Sequence, residues 1–364
     1  MNDSAAYRLR ALADGAKPPL PVTPRPIVSI GAGSIVQHAH LPAYRKAGFP
    51  VAAITDADSG KAAAMAKQFG IPAVESIQAG LQLAGSHVVF DLAVPAGSIL
   101  RVLPNIPDGA AVLIQKPMGE TLQEAALILR LCREKALTAA VNFQLRYAPA
   151  MLAARRIMEH GLLGDVCDMQ VHVNVFTPWD LWSFLATAPR LEILYHSIHY
   201  LDLARSFFGN PRKVLARTVR NPHTPSLAAT RSVIVLDYGD WKRVYIATNH
   251  HHNFPQSQES YVQWEGTRGM LRAVMGVNLD YPAGRPDSLQ FAAEGQPWET
   301  VPISGNWFPD AFIGSMGSLQ AHISGCAGTL PTSAEDAFDT MRTVEAAYLS
   351  SEQDGTDLPD PGGA

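Results

Sequence analysis

The chain becomes periodic at Ile27. Residues 27–33 (IVSIGAG) are a short apolar run that breaks into glycines. SIVQHAHLPAYRKA behind it has helical spacing, with Pro42 at a kink or a break. VAAITD (51–56) is a second buried strand, and a helix is expected from Ser59 to about Gly70. HVVFDLAVP (87–95) and AAVLIQKP (110–117) are further apolar runs. Helical spacing then covers Glu120 to Lys135, and LTAAVNF follows at 137–143. Short apolar strands alternating with helices predict a parallel sheet with crossovers, an α/β domain.

After about Ala148 the period changes to two. Residues 166–176, 231–239, 242–252 and 260–266 alternate apolar and polar positions, as half-buried strands of a largely antiparallel, open sheet do. Helices are expected at about Leu191–Phe208, Asp310–Ser324 and Ser333–Ser351. The second half is therefore an α+β domain. PVTPRP (21–26) is an extended linker, since each proline blocks helix. The division expected is an arm and linker outside the core at 1–25, an α/β domain at 26–147, an α+β domain at 148–351 and a frayed tail at 352–364.

The composition narrows the class. With 364 residues, 47% hydrophobic and 17% charged, the chain has ample material for two cores, and general disorder is excluded. A net charge of −4 gives no footprint for nucleic acid. No apolar run approaches the length of a membrane span. Cys132, Cys167 and Cys326 are odd in number and far apart. That argues against disulfides and against zinc, and fits a reducing compartment. MNDSAAYRLRALADG lacks an apolar export core, so a cytoplasmic location is expected.

Gly31-Ala32-Gly33-Ser34-Ile35-Val36 follows the first strand and opens a helix. The first glycine permits the tight turn. The second lets the backbone approach a pyrophosphate at the helix N-terminus, where free N–H groups favour an anion. The third position is Val36, which predicts wider helix–strand packing. Asp56, at the end of the next strand, is placed to accept from the ribose hydroxyls and to repel a 2′-phosphate. NAD is therefore expected over NADP, on a Rossmann domain. Asp58 lies in the turn and is expected to cap the helix from Ser59. With a dinucleotide across the strand ends, Ala93, Val94, Pro95, Gln115 and Lys116 join Gly31, Gly33, Ser34, Ile35 and Asp56 as expected contacts.

Gln115-Lys116-Pro117 ends the run at 110–117, where an open parallel sheet meets its ligand. With it, the chain resembles the glucose-fructose oxidoreductase / inositol dehydrogenase / MocA family. The family's E-K-P appears as Gln115-Lys116-Pro117. Its basic–aromatic segment appears as Asn142-Phe143-Gln144-Leu145-Arg146-Tyr147, and its histidine helix as His199-Tyr200-Leu201-Asp202. Its E-G-T-x-G turn appears as Glu265-Gly266-Thr267-Arg268-Gly269, and its closing helix as Thr332 through Tyr348. The order of these motifs from about Ile27 to Ser351 is the specific signal.

The resemblance implies NAD(P)-dependent hydride transfer at a hydroxyl carbon of a sugar, cyclitol or sugar acid. Lys116 and His199 would stand at the substrate hydroxyl beside the nicotinamide. It also implies self-association through the exposed sheet face, as a homodimer or homotetramer. Two positions depart from the pattern. Gln115 replaces a glutamate, and Tyr195, followed by His196, replaces an aspartate four residues before the histidine. Tyr195 and His196 are thus candidates for the missing acid's role.

Oxidation of a carbinol needs a base near neutrality for the hydroxyl proton, which suits histidine or a buried lysine. His196 and His199 share a helix face, and Asp202, one turn beyond, is placed to orient the His199 ring. Candidate substrate contacts are Lys116, Gln144, Arg146, Trp179, His196 and His199. Arg146 would pair with a substrate carboxylate or with a protein acid, and Trp179 would stack on a sugar face. Of His250-His251-His252 only the first and third share a strand face, so a metal is not expected there. Two other classes stay open: a glycosidase that oxidises its substrate transiently with tightly held NAD, and a non-catalytic dinucleotide sensor.

Overall fold

A computed structural model describes residues 3–353 and 355–358. It holds two sheets. The elements of the first half are α1 (Asp3–Asp14), β1 (Ile27–Ile30), α2 (Leu41–Ala47), β2 (Val51–Thr55), α3 (Ser59–Phe69), α4 (Ile77–Ala84) and β3 (Val89–Leu92). They continue with α5 (Ile99–Val102), β4 (Ala111–Ile114), α6 (Leu122–Glu134), β5 (Thr138–Val141) and α7 (Pro149–Glu159). The second half contains β6 (Val166–Asn174), α8 (Ile198–Phe208), β7 (Lys213–Val219), β8 (Arg231–Asp237), β9 (Arg243–Asn249) and β10 (Glu259–Gly266). It closes with β11 (Gly269–Val274), β12 (Ser288–Ala293), β13 (Glu299–Val301), α9 (Asp310–Ile323) and α10 (Ala334–Glu352).

The first sheet is parallel, in the order β2-β1-β3-β4-β5. β1, β3 and β4 are buried at every position, as strands covered on both faces must be. The chain reverses direction across the sheet at β1, whose neighbours are β2 and β3, and a crevice opens there at the carboxyl ends. The second sheet has eight strands in the order β13-β12-β11-β10-β6-β9-β8-β7, antiparallel except for the β6/β9 pair. Its inner face carries Val171, Ile234, Ile246, Val262 and Trp264, all buried. Its outer face leaves Leu215 and Val233 exposed.

Local chemistry explains the boundaries. Asp58 caps α3 by accepting from the Lys61 N–H, as expected. Pro42 does fall at a break: residues 36–40 form a π-turn, and α2 restarts with the proline in its first turn. Val36, in place of a small residue, is fully buried in that π-turn.

The reading of residues 1–25 as an arm outside the core is corrected. Asp3–Asp14 is helical, and Leu9 and Leu12 are buried in the main hydrophobic cluster, where α1 meets α7. The linker is fastened too. The Arg25 N–H donates to Gln320 at 2.7 Å and the Arg25 guanidinium to the Ile323 carbonyl at 3.1 Å. Gly317 on α9 makes room for it, since a Cβ there would stand 2.5 Å from Leu20. Of the expected tail, 354 and 359–364 lie outside the described residues. Among the described residues no helix is long and apolar enough to cross a membrane.

Candidate active site

The turn after β1 is shaped for a close backbone approach. Gly31 has φ +111°, and a Cβ on it would come within 2.3 Å of the Ala93 carbonyl oxygen, so only glycine fits. A Cβ on Gly33 would meet nothing within 4 Å. The second glycine thus borders open space at the start of the helix, where a pyrophosphate has room and finds N–H donors. The Asp56 carboxylate closes the turn, accepting from the N–H of Ala32 at 2.7 Å and of Asp58 at 2.8 Å. Each of its oxygens keeps a second lone pair for a ribose hydroxyl. The residues present therefore fit a dinucleotide.

One pocket of about 540 Å³ joins this turn to the second sheet. It is lined by all ten expected cofactor contacts, Gly31, Gly33, Ser34, Ile35, Asp56, Ala93, Val94, Pro95, Gln115 and Lys116. Gln144, Tyr195, His196 and His199 also line it. Lys116 follows β4 and crosses to the second sheet's side, where its Nζ donates to the Tyr195 carbonyl at 2.9 Å. That carbonyl belongs to a π-turn, Ile193–Ser197, leading into α8. Burial lowers the Lys116 amine from 10.5 to about 8.

His196 and His199 are held well below the ordinary imidazole range, first by burial and then by repulsion, from His250, Lys116 and His199 in the case of His196 and from Lys116 in the case of His199. Both rings are therefore neutral near pH 7. His199 stands edge-on to Trp307, with ring centroids 5.6 Å apart, and its Nδ1 is buried without a partner. His196 packs against His250 at 4.3 Å, and its Nε2 is likewise unpartnered.

Four expectations are corrected here. Arg146 does not reach the pocket. It donates to both oxygens of Asp202 at 2.6 Å and to Asp336 at 2.5 Å, inside the protein. Asp202 is consequently taken by Arg146 and Thr340 and does not orient His199. Trp179 is buried beside His196, with its indole N–H on His251, and does not line the pocket; Trp182, three residues on, does. The Tyr195 hydroxyl is turned to Glu120 at 3.2 Å, and burial beside that carboxylate raises it. Tyr195 therefore offers the pocket no acid.

Sequence reasoning missed Thr177, Phe184, His250, Asn278, Tyr281 and Trp307 as lining residues. They come from separate loops, and the one signal was the histidine run beyond β9. His250 is buried and bonded to Thr177 at 3.2 Å, whereas His252 is half-buried and bonded to Ser257 at 2.9 Å. Among the described residues no set of three His, Cys, Asp or Glu side chains is arranged to hold a metal.

The fold and pocket define a two-domain, dinucleotide-binding oxidoreductase. Residues 26–143 match the model of the oxidoreductase family with NAD-binding Rossmann fold (GFO_IDH_MocA), and residues 151–272 match the GFO/IDH/MocA C-terminal domain. The chain belongs to this family, and its named relatives include sugar and cyclitol dehydrogenases. It is 27% identical to the D-apiose dehydrogenase of Paraburkholderia graminis, over 90% of this chain and 88% of that one. It is 23% identical to an NADP(+)-dependent D-xylose 1-dehydrogenase of Haloferax volcanii, over 89% and 96%. An Agrobacterium radiobacter oxidoreductase solved with NAD+, L-tartaric acid and magnesium shares the fold, with TM-score 0.75, 21% identity, and coverage of 90% of this chain and 96% of that one.

Proposed function

We propose that the protein is an NAD-dependent dehydrogenase for a neutral sugar or cyclitol, exchanging hydride at a hydroxyl carbon. One observation carries this reading. Beside the Lys116 amine, which donates to the Tyr195 carbonyl, two imidazoles held neutral chiefly by burial, His196 and His199, line the same pocket. An ammonium donor flanked by neutral rings that can donate or accept suits a ligand rich in hydroxyls. The rest of the substrate end is aromatic, with Trp182, Tyr281 and Trp307 available to stack on a sugar ring. Apart from Lys61 near Asp56, Lys116 is the one full positive charge among the described lining residues. With Arg146 inside the protein, a sugar acid finds no bidentate partner, so the neutral substrate is favoured.

Bound across the strand ends, NAD supplies or accepts the hydride. Lys116 then holds the reacting oxygen and stabilises its alkoxide character, and His199 takes the hydroxyl proton. Asp56 favours NAD over NADP by its charge. Exposed Leu215 and Val233 support association of two or four copies through the second sheet. The test is a panel of neutral sugars, cyclitols and sugar acids with each dinucleotide, followed by NADH or NADPH absorbance. NAD-linked turnover confined to neutral substrates is expected. Turnover of sugar acids alone, or consumption of a glycoside without net NADH, would overturn the reading; the second outcome is that of the transient-oxidation glycosidase.

A further inference from the structure

The turn that carries Lys116 is stiff. Met118 is fully buried, the Gly119 N–H donates to the Pro117 carbonyl at 2.9 Å, and the Glu120 N–H donates to the Glu124 carboxylate at 2.7 Å. Gly119 has φ +91°, and a Cβ on it would stand 2.8 Å from the Glu124 side chain. Facing this turn is the π-turn at Ile193–Ser197, where the Ile198 N–H reaches back to the Ile193 carbonyl. Turns of this kind gather at functional sites. Tyr195 joins the two, and it does so at both ends of segment 116–120. Its carbonyl accepts from the Lys116 Nζ at 2.9 Å, and its hydroxyl donates to Glu120 Oε1 at 3.2 Å. The tyrosine is 7% exposed, and its ring stands edge-on to Phe184 with centroids 5.7 Å apart.

We propose that Tyr195 is a positioning residue, whose hydroxyl bond to Glu120 pins the π-turn so that its carbonyl aims the Lys116 ammonium at the reacting oxygen. The inference rests on the dehydrogenase reading above and names a residue that acts through another. An ammonium has three donors, and the Tyr195 carbonyl takes one, which fixes the direction of the others. His196 lies in the same π-turn and His199 opens the helix behind it, so the pin also sets where the imidazoles stand. Tyr195 thus stands in for the missing acid as an anchor, not as a proton donor.

Position, not charge, carries the effect from Glu120 to Lys116. Burial is what lowers the Lys116 amine. The Tyr195 hydroxyl faces two carboxylates and is raised first by burial, then by Glu120 and Glu124. On its other side Lys116 faces His196 and His199, both neutral. With the pin released the π-turn no longer covers the amine, water reaches it, and it titrates nearer to 10.5 than to 8. A residue that only stabilised the fold would leave that titration where it is.

The test uses the full-length protein and the variants Tyr195→Phe, Glu120→Ala, Glu120→Gln and the double variant Tyr195→Phe, Glu120→Ala. Tyr195→Phe keeps the ring and loses the bond. It should lower kcat about 10²-fold, the scale of a small misplacement, with little rise in KM. Glu120→Ala should do the same, and Glu120→Gln, which keeps an acceptor, should recover most of the loss. The double variant should be no worse than either single one. Without substrate, NMR of ¹³C-labelled lysine should show the Lys116 amine, assigned by its loss in Lys116→Met, titrating at about 8 in the native protein and higher in Tyr195→Phe. That readout stands even if no sugar is turned over, an outcome that would sink the dehydrogenase reading instead. If Tyr195→Phe does not fold, the two variants of the exposed Glu120 decide. Native kcat and an unmoved lysine titration in Tyr195→Phe overturn the proposal. So do losses that multiply in the double variant, or a Glu120→Gln no better than Glu120→Ala.

Discussion

In the role proposed for Lys116, its charge state should set both activity and stability, in opposite directions. Its amine titrates at about 8 because burial disfavours the cation. If the cation holds the substrate oxygen, kcat/KM should fall as pH rises through about 8, in oxidation and in reduction. Stability should do the reverse. Between about 8 and 10.5 the unfolded chain holds the lysine proton while the folded chain has released it, so folding is favoured as pH rises across that window. A Lys116→Met variant should lose turnover by about 10²–10⁴-fold and both pH effects with it. An unchanged alkaline limb in that variant would assign the titration to another group. Replacing Asp56 by Ser should weaken NAD and relax the preference against NADP by about 1–3 kcal/mol, measured as paired dissociation constants. Equal affinity of the native protein for both cofactors would refute the assignment. Because Asp56 also ties down the Ala32 and Asp58 N–H groups, Asp56→Asn, which retains an acceptor, separates loss of charge from loss of the turn.

At the scale of elements, the strands were legible wherever burial imposes a period. β1 to β5 read as mainly apolar runs, with Ser29 and Asp91 inside them, because both faces are covered, and β6, β8, β9 and β10 read as alternation because one face is not. β7 was not legible: it is an edge strand whose exposed positions include Leu215 and Val219, so apolar residues fall on both faces and the period is lost. The short β13 offers three residues, too few for a pattern. For the site, the glycine turn, Lys116 and His199 were readable because each ends or opens an element. The role of Arg146 was not, since its partners Asp202 and Asp336 are 56 and 190 residues away. That cluster instead fastens α8 and α10 to the segment after β5, with Arg205 also bound to Asp336. Arg146→Ala leaves the buried Asp202 without its cation, while the half-buried Asp336 keeps Arg205, and should destabilise by about 3–5 kcal/mol in denaturant unfolding. KM of the folded fraction should stay near the native value, since the side chain does not line the pocket. A large KM increase at native stability would return Arg146 to the substrate.

Over the whole molecule, the N-terminal 25 residues act as a strap across both halves. α1 packs on α7, just after the first sheet ends, and also meets β13 at the far edge of the second sheet. The linker then crosses α9, held by Arg25 on Gln320 and Ile323, before entering β1, an interior strand of the first sheet beside the edge strand β2. The sequence of α1 conceals this. Its charged residues Arg8, Arg10 and Asp14 surround two leucines, and a stripe that narrow is difficult to tell from a solvated helix. Burying Leu9 and Leu12 contributes about 1.5–3 kcal/mol each, before the cost of ordering the helix. Removing residues 1–25 also uncovers Gly314 and Gly317 on α9 and leaves the Gln320 side chain without the Arg25 N–H. The truncated chain should therefore fold less stably, with a lower Tm and enhanced amide exchange in α7 and α9. The double variant Leu9→Ala, Leu12→Ala in the full-length chain should reproduce the α7 part alone, because the linker stays in place. A truncated protein with native Tm and unaltered exchange in both helices would show that the strap adds nothing to the fold.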